Sequence, residues 1–288
     1  MAAHSFFSIK LRLGWEKLQD WGKRPSELSE AVVRLGGYIG EKEPLFHRRI
    51  SKDAQISKLL VEVFASEVWE SEGNIKFNKS FECFDFLAAG NVELAINLLP
   101  GATGLDKRKL VQKAQNLLSV SNELFGPERI SYHPITIDFI KNIHKKVVRH
   151  LNISSDFRTR PAKPSGSNFL YAAPNQIQTR LNELLSFVNE TLATLDSLNH
   201  KLLLATLFFS EFLMIHPFSD GNGGVARILL SWIMREHTVV PISITSQHDE
   251  YLAALEARVE APPYALSTLI AKAAARSAWN ATNLFEPI

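Results

Sequence analysis

Apolar residues recur at helical spacing along most of the chain. From Ala54 to Trp69, Ile56, Leu59, Leu60, Val63 and Phe64 form one stripe, and Glu72-Gly73-Asn74 follows as a turn. Leu28 to Tyr38 carries a similar pattern with Gly36-Gly37 as a stop. Phe84 to Leu99 and Lys107 to Leu124 read as two helices separated by Pro100-Gly101. Thr136 to Leu151 sets Ile137, Phe139, Ile140, Ile143 and Val147 on one face. Helix resumes from Asn175 to Leu195 and from Leu198 to Ile215, where Leu203, Leu204, Leu207, Phe208 and Phe212 are core candidates. A further apolar helix runs from Val225 to Arg235, and the Ala- and Leu-rich tail from His248 is also helical in pattern. The exception is Asp156 to Pro174, whose prolines, serines and glycine spell a loop with room for a short hairpin. The expectation is an all-α protein with at most one small hairpin.

Composition narrows the class. The chain has 288 residues, 45% of them apolar, enough for a sizeable core, and a formal charge of +2 that gives no global field for nucleic acid or anionic membranes. Cys83 is the one cysteine and cannot form an internal disulfide, which fits a reducing compartment. No continuous apolar segment of signal-peptide type opens the sequence, and no uninterrupted apolar span is long enough to cross a bilayer. These readings give a cytoplasmic protein with neither membrane nor nucleic acid as partner. Trp15, Trp21, Trp69, Trp232 and Trp279 read as core or semi-core. His144 and His150 flank a Lys-Lys-Val-Val-Arg stretch that reads as a solvated face, and the histidines other than His216 show no metal-ligand spacing.

Chemistry concentrates between Ile215 and Arg227. A residue before proline is pushed out of the α region, so His216-Pro217 ends the preceding helix and leaves His216 at the mouth of a loop. The loop, Phe218-Ser219-Asp220-Gly221-Asn222-Gly223-Gly224, feeds a helix N-terminus, a ready anion site. Asp220 at its mouth is tolerable near phosphate if Mg²⁺ lies between them. Arg227, read as lying in the first turn of the next helix, is at the end where the dipole disfavours cations, and a bound phosphate would relieve that repulsion. His216 is neutral at physiological pH and able to take a proton. No Lys-Ser or Lys-Thr follows the glycines, which excludes the Walker loop, and a helix rather than a strand precedes them, which excludes the dinucleotide fingerprint. Asp220 and Asn222 also suit a purely structural turn.

The run from His216 to Arg227 resembles the Fic family motif, HPFx(D/E)GNGRxxR. Phe157-Arg158-Thr159-Arg160 resembles the segment before that family's β-hairpin flap, Phe169 to Pro174 the flap's return, and Asp249-Glu250-Tyr251 the downstream helix near the nucleobase pocket. The resemblance implies a helical-bundle Fic fold with a short β-hairpin flap and a helical N-terminal extension. Residues 1–105 would form that extension, and 106–288 the catalytic core with C-terminal helices. It implies a protein adenylyltransferase that moves AMP from ATP to a protein hydroxyl with Mg²⁺. His216 would be the general base and Asp220 the metal ligand. Asn222, with the amides of Gly221 and Gly223, would stabilise the α-phosphate, and Arg227 would hold the terminal phosphate. Phe218 would anchor the loop by packing, Tyr251 would lie at the base pocket, and a protein substrate would pair with the flap, Ala162 to Ala173.

Two features modify that expectation. The family's first motif arginine is Gly224 here, which removes a phosphate contact. Another arginine, Arg158 or Arg160, could substitute, the donor could differ, or the chain could be a degenerate module that binds a nucleotide or partner without catalysis. Ser66-Glu67-Val68-Trp69-Glu70-Ser71 resembles the family's inhibitory (S/T)xxxE(G/N) helix, whose glutamate would pair with Arg227; Ser66 and Glu70 are the favoured residues, with Glu72 and Glu123 as rivals. Nothing in the residues selects or excludes a homodimer.

Overall fold

The computed structural model describes residues 26–37, 54–71, 77–99, 104–163, 170–238, 240–244, 253–255 and 264–285. Among them the chain is helical and holds no strand: α1 (26–37), α2 (Ala54–Ser71), α3 (Phe77–Ala88), α4 (Val92–Leu98), α5 (Gly104–Phe125), α6 (Ile137–Val147), α7 (Ile177–Thr194), α8 (Leu198–Ile215), α9 (Asn222–Thr238) and α10 (Tyr264–Phe285). A 3₁₀ turn, Pro174–Gln176, leads into α7.

The apolar helix α8 is the centre of the bundle. Every residue from Leu202 to Ser210 is buried, because α7, α9 and α10 all pack against it. By length and composition α8 would also qualify as a membrane span, contrary to the expectation from sequence, but 61% of it is buried inside the bundle. A helix that is apolar all round is what a core position requires. The α2, α3, α4 and α5 helices form a second layer in which neighbours pack in turn, and α2 and α5 both reach α9. One hydrophobic cluster therefore runs from Leu28 on α1 to Ala278 on α10, across the expected division at residue 105. Trp69 meets Phe84 edge-on at 5.3 Å, and Phe64 meets Phe125 at the same distance, so large rings seal the α2 side. Trp69 and Trp232 are core as expected, whereas Trp279 is 48% exposed; Trp15 and Trp21 lie outside the described residues.

Local chemistry explains where the helices differ from the periodicity reading. The expected single helix Phe84–Leu99 is two, α3 and α4, because Gly90 takes φ +78°. Asn91 N–H donates to the Phe86 carbonyl and Gly90 N–H to the Leu87 carbonyl, a Schellman ending that Gly alone adopts without strain. The helix expected from Thr136 to Leu151 stops at Val147. Thr136 Oγ1 accepts from Phe139 N–H at 3.1 Å to cap its start. At its end Asn116 Nδ2 on α5 donates to the carbonyls of Val147 and Arg149 at 3.0 and 2.7 Å. The chain then reverses through His150 and Asn152, both at positive φ.

Asn116→Ala should remove the side-chain donor that these two carbonyls share. A loss of roughly 1–3 kcal/mol in unfolding free energy is expected from a urea titration.

Candidate functional site: the turn between α8 and α9

The C-terminal end of α8 and the N-terminal end of α9 meet at the turn 216–221. His216 caps α8 in a left-handed backbone conformation, φ 48° and ψ 62°, with its N–H still donating to the Phe212 carbonyl. Leaving the right-handed region before Pro217 is what the sequence requires, and histidine tolerates the left-handed well better than most residues. Burial is the main cause that pushes the imidazole pKa down to about 4, and the Arg158 guanidinium adds to it; the Leu213 carbonyl and Asp220 pull the other way. Leu213 is the larger of the two opposing influences, although Nδ1 makes no full hydrogen bond, and burial outweighs both. The ring is therefore neutral at physiological pH. Tyr171 stacks on it with centroids 3.8 Å apart and planes within 4°.

Helix α9 begins at Asn222, three residues before the sequence reading placed it. The first helical hydrogen bond closes from Val225 N–H to the Gly221 carbonyl at 3.1 Å, so the amides of Asn222, Gly223 and Gly224 open the helix without intrahelical partners. Unpaired amides at a helix N-terminus are suited to an anion. The Asn222 side chain is turned inward and 2% exposed: Nδ2 donates to the Phe218 carbonyl at 2.9 Å and Oδ1 accepts from Phe218 N–H at 3.0 Å. Asn222 thus clasps the loop, and the donors left to face a ligand are backbone amides. Arg227 lies in the second turn of α9, not the first, and is 3% exposed. Gly224 sits buried in the first turn and presents no side chain where a motif arginine would.

Asp220 is exposed. Its Oδ1 accepts from Gly221 N–H at 2.7 Å, and Oδ2 has no partner among the described residues. One free carboxylate oxygen beside a helix N-terminus fits Mg²⁺, which is commonly held by a carboxylate plus substrate phosphates. Gly221 is required at φ +78°, and a Cβ there would stand 3.3 Å from Val148 Cγ1 and 3.6 Å from His144 Nε2.

Three residues that shape the site were missed or misread from sequence. His144 is fully buried, not on a solvated face. Its Nε2–H donates to the Asp220 carbonyl at 2.9 Å, which fixes the tautomer, and its ring lies flat on Phe218 at 3.6 Å. Burial lowers its pKa. The signal was present, since His144 falls at helical spacing from the core residues Ile140 and Val147. Phe218 is buried between His144 and Phe157 and packs on protein, as an anchor should. Arg158 does not stand free for phosphate: Nε donates to the His216 carbonyl, Nη1 to that of Arg160, and Nη2 to those of Ala172 and Ile215. Arg160, by contrast, is exposed. Tyr171, an aromatic in the loop, had no periodic context to mark it.

The expected hairpin is an irregular strap in the described residues. Its arms, 158–163 and 170–173, are joined by Tyr171 N–H donating to the Ala162 carbonyl at 3.1 Å. Tyr251 and Glu72 lie outside the described residues, as does the side chain of Glu70. Ser66 is buried on α2. Glu123 is committed elsewhere, with Lys146 Nζ donating to both its oxygens at 2.5 and 2.6 Å.

A helical bundle with a motif-bearing turn between two core helices can be set beside known proteins. Residues 134–234, which carry the turn, match the Fic/DOC family model. It is 29% identical over 156 residues to a protein adenylyltransferase Fic of Nematostella vectensis, covering 53% of this chain and 35% of that protein. It is 31% identical over 148 residues to a probable protein adenylyltransferase of Aquifex aeolicus, covering 49% and 43%. The matches therefore span less than half the length of these relatives. In fold it resembles a Fic family protein from Desulfovibrio desulfuricans, with TM-score 0.66 at 16% identity, covering 92% of this chain and 76% of that one. It also resembles Fic-1 (residues 134–508) from C. elegans, with TM-score 0.63 at 19% identity, covering 90% and 72%.

Two outcomes follow from this geometry. Gly221→Ala should lose about 1–2 kcal/mol from left-handed strain alone, read by urea unfolding, because Val148 blocks relaxation. His144, His216 and His237 are all held below the ordinary value of 6.5, chiefly by burial. Their neutral forms belong to the fold, so this stability is complete above the unfolded value of 6.5 and is lost as pH falls toward the His216 value of about 4. The urea midpoint should drop between pH 7 and pH 4.5, and His216→Ala should flatten that drop.

Proposed function

We propose that this chain is a protein adenylyltransferase, the activity for which its relatives are named. The observation that carries the reading is a neutral His216 seated at the mouth of an anion-facing helix N-terminus, beside the free carboxylate oxygen of Asp220. His216 takes the proton from a hydroxyl of the target protein. The hydroxyl oxygen then forms a bond to the α-phosphorus of ATP as the bond to the bridging oxygen breaks, and pyrophosphate leaves. The amides of Asn222, Gly223 and Gly224 hold phosphate oxygens, and Asp220 would hold Mg²⁺, which would supply charge neutralisation to the phosphates. An imidazole pKa near 4 describes the ligand-free site; the negative charge of a bound triphosphate raises it and makes the ring a stronger base. The target segment lies along the strap arms, where main-chain groups give affinity for an extended chain.

Inhibition in cis belongs to the same proposal. Helix α2 carries Ser66 and Glu70 and packs on α9, the helix of Arg227, while the rival Glu123 is paired with Lys146. A second reading is favoured by one observation: Gly224 is buried and without a side chain, and Arg158, one of the two arginines that could replace the motif's first phosphate cation, is spent on carbonyls, which leaves the exposed Arg160 of that pair. That reading is a module that binds nucleotide without transfer.

Incubation with α-³²P-ATP and Mg²⁺ separates them. Label should appear on protein, fall by at least about 10²-fold in His216→Ala, fall in Asp220→Ala, and rise in Glu70→Gly. Nucleotide binding with no label in wild type or Glu70→Gly would establish the binding module instead.

A further inference from the structure

The arginine before the strap makes more contacts with the turn than any sequence motif assigns to it. Arg158 is 7% exposed, and its guanidinium donates only to main-chain carbonyls. Two of these, Ile215 and His216, are the last residue of α8 and its cap. The other two, Arg160 and Ala172, belong to opposite arms of the strap. Its own N–H donates to the Pro217 carbonyl at 2.9 Å, and Ala172 N–H donates to that of Met214 at 3.3 Å. A helix C-terminus leaves its final carbonyls without partners, and a planar fork of five donors is the one side chain able to satisfy two of them and still reach a third segment.

The residue so held is under strain. His216 is at φ 48°, in the left-handed region that a non-glycine residue enters only at a cost. Its carbonyl receives the 2.7 Å bond from Arg158 Nε, and its ring lies against Tyr171, the strap residue next to Ala172. The same cation thus fixes the backbone of His216 and the arm that carries the ring stacked upon it.

We propose that Arg158 is a positioning residue that locks His216 in its left-handed geometry and joins it to the strap, so that the segment receiving the target and the base are set as one unit. The proposal rests on the reading of His216 as the base. Arg158 touches neither substrate nor nucleotide in this role; it acts through His216 and Tyr171.

The test uses the full chain with two variants, Arg158→Lys, which keeps charge but loses the fork, and Arg158→Gln, which loses both. The carbon-bound imidazole protons of His216, assigned by their absence in His216→Ala, are shifted upfield by the Tyr171 ring at 3.8 Å. In both variants that shift should collapse, and amide exchange should accelerate together in 170–173 and 214–217. The kcat for label transfer should fall by roughly 10²-fold with the nucleotide KM unchanged, the loss expected when a reacting group is misplaced by about 1 Å. An unshifted imidazole signal with kcat retained, exchange rising in the strap alone, or a raised nucleotide KM with kcat intact would each overturn the proposal. Should the variants fail to unfold cooperatively, native exchange in the unsubstituted protein decides it. The amides of Arg158, Ala172 and His216 must open with one shared free energy, and separate openings would sink the idea. Absence of label in the unsubstituted protein would defeat the base reading, whereas the imidazole shift and exchange still decide whether Arg158 makes the tie.

Discussion

Everything at the site depends on how α8 ends. Eighteen residues of core helix cannot simply stop in the interior, because their last carbonyls would be buried without partners. Here the ending is made by a non-glycine residue in the left-handed well, His216, with the guanidinium of Arg158 taking the orphaned carbonyls. The arrangement places an imidazole at the lip of the bundle, neutral and backed by an aromatic ring, while the helix that carries it stays fully packed. A chemically useful side chain is held by the same bonds that solve a structural problem.

The turn that follows is supported from below. His144 on α6 donates to the Asp220 carbonyl and lies flat on Phe218, while Asn222 clasps Phe218 by both its amide ends. With the Asp220 carbonyl and the Asn222 side chain bound to protein, the carboxylate of Asp220 stays exposed, while the amides that open α9 belong to buried or half-buried residues. The polar groups of the turn interior are thus largely committed to protein. This also explains why Arg158, attractive as a stand-in for the arginine absent at position 224, does not serve that way.

The N-terminal layer is part of the same body. Helix α2 shares the core with α5 and touches α9, so the region bearing Ser66 and Glu70 is packed against the helix of Arg227 and is not tethered by a linker. A regulatory contact between these helices requires no large movement of domains, which makes the proposed brake physically economical. The Lys146–Glu123 pair at the α5–α6 contact, both side chains a little over one third exposed, orders that edge more than it stabilises it.

The sequence by itself determined the helical class, the centre of the bundle and the end of α8 at the candidate site. Apolar spacing marks α8 to its last residue, and His216-Pro217 forces a helix end whatever surrounds it, since proline's constraint acts on the neighbouring residue alone. Gly221 was legible as a turn glycine for the same local reason. What the tertiary structure decided was the fate of groups whose partners are far along the chain. His144 reads as one more polar residue in a basic stretch until Asp220, 76 positions away, is brought to it. Arg158 reads as a free cation until four carbonyls close around it, those of Ile215 and His216 57 and 58 positions away. Local rules set backbone conformation, but hydrogen-bond satisfaction is settled by which carbonyls burial leaves in need, and that is known only once the helices have packed.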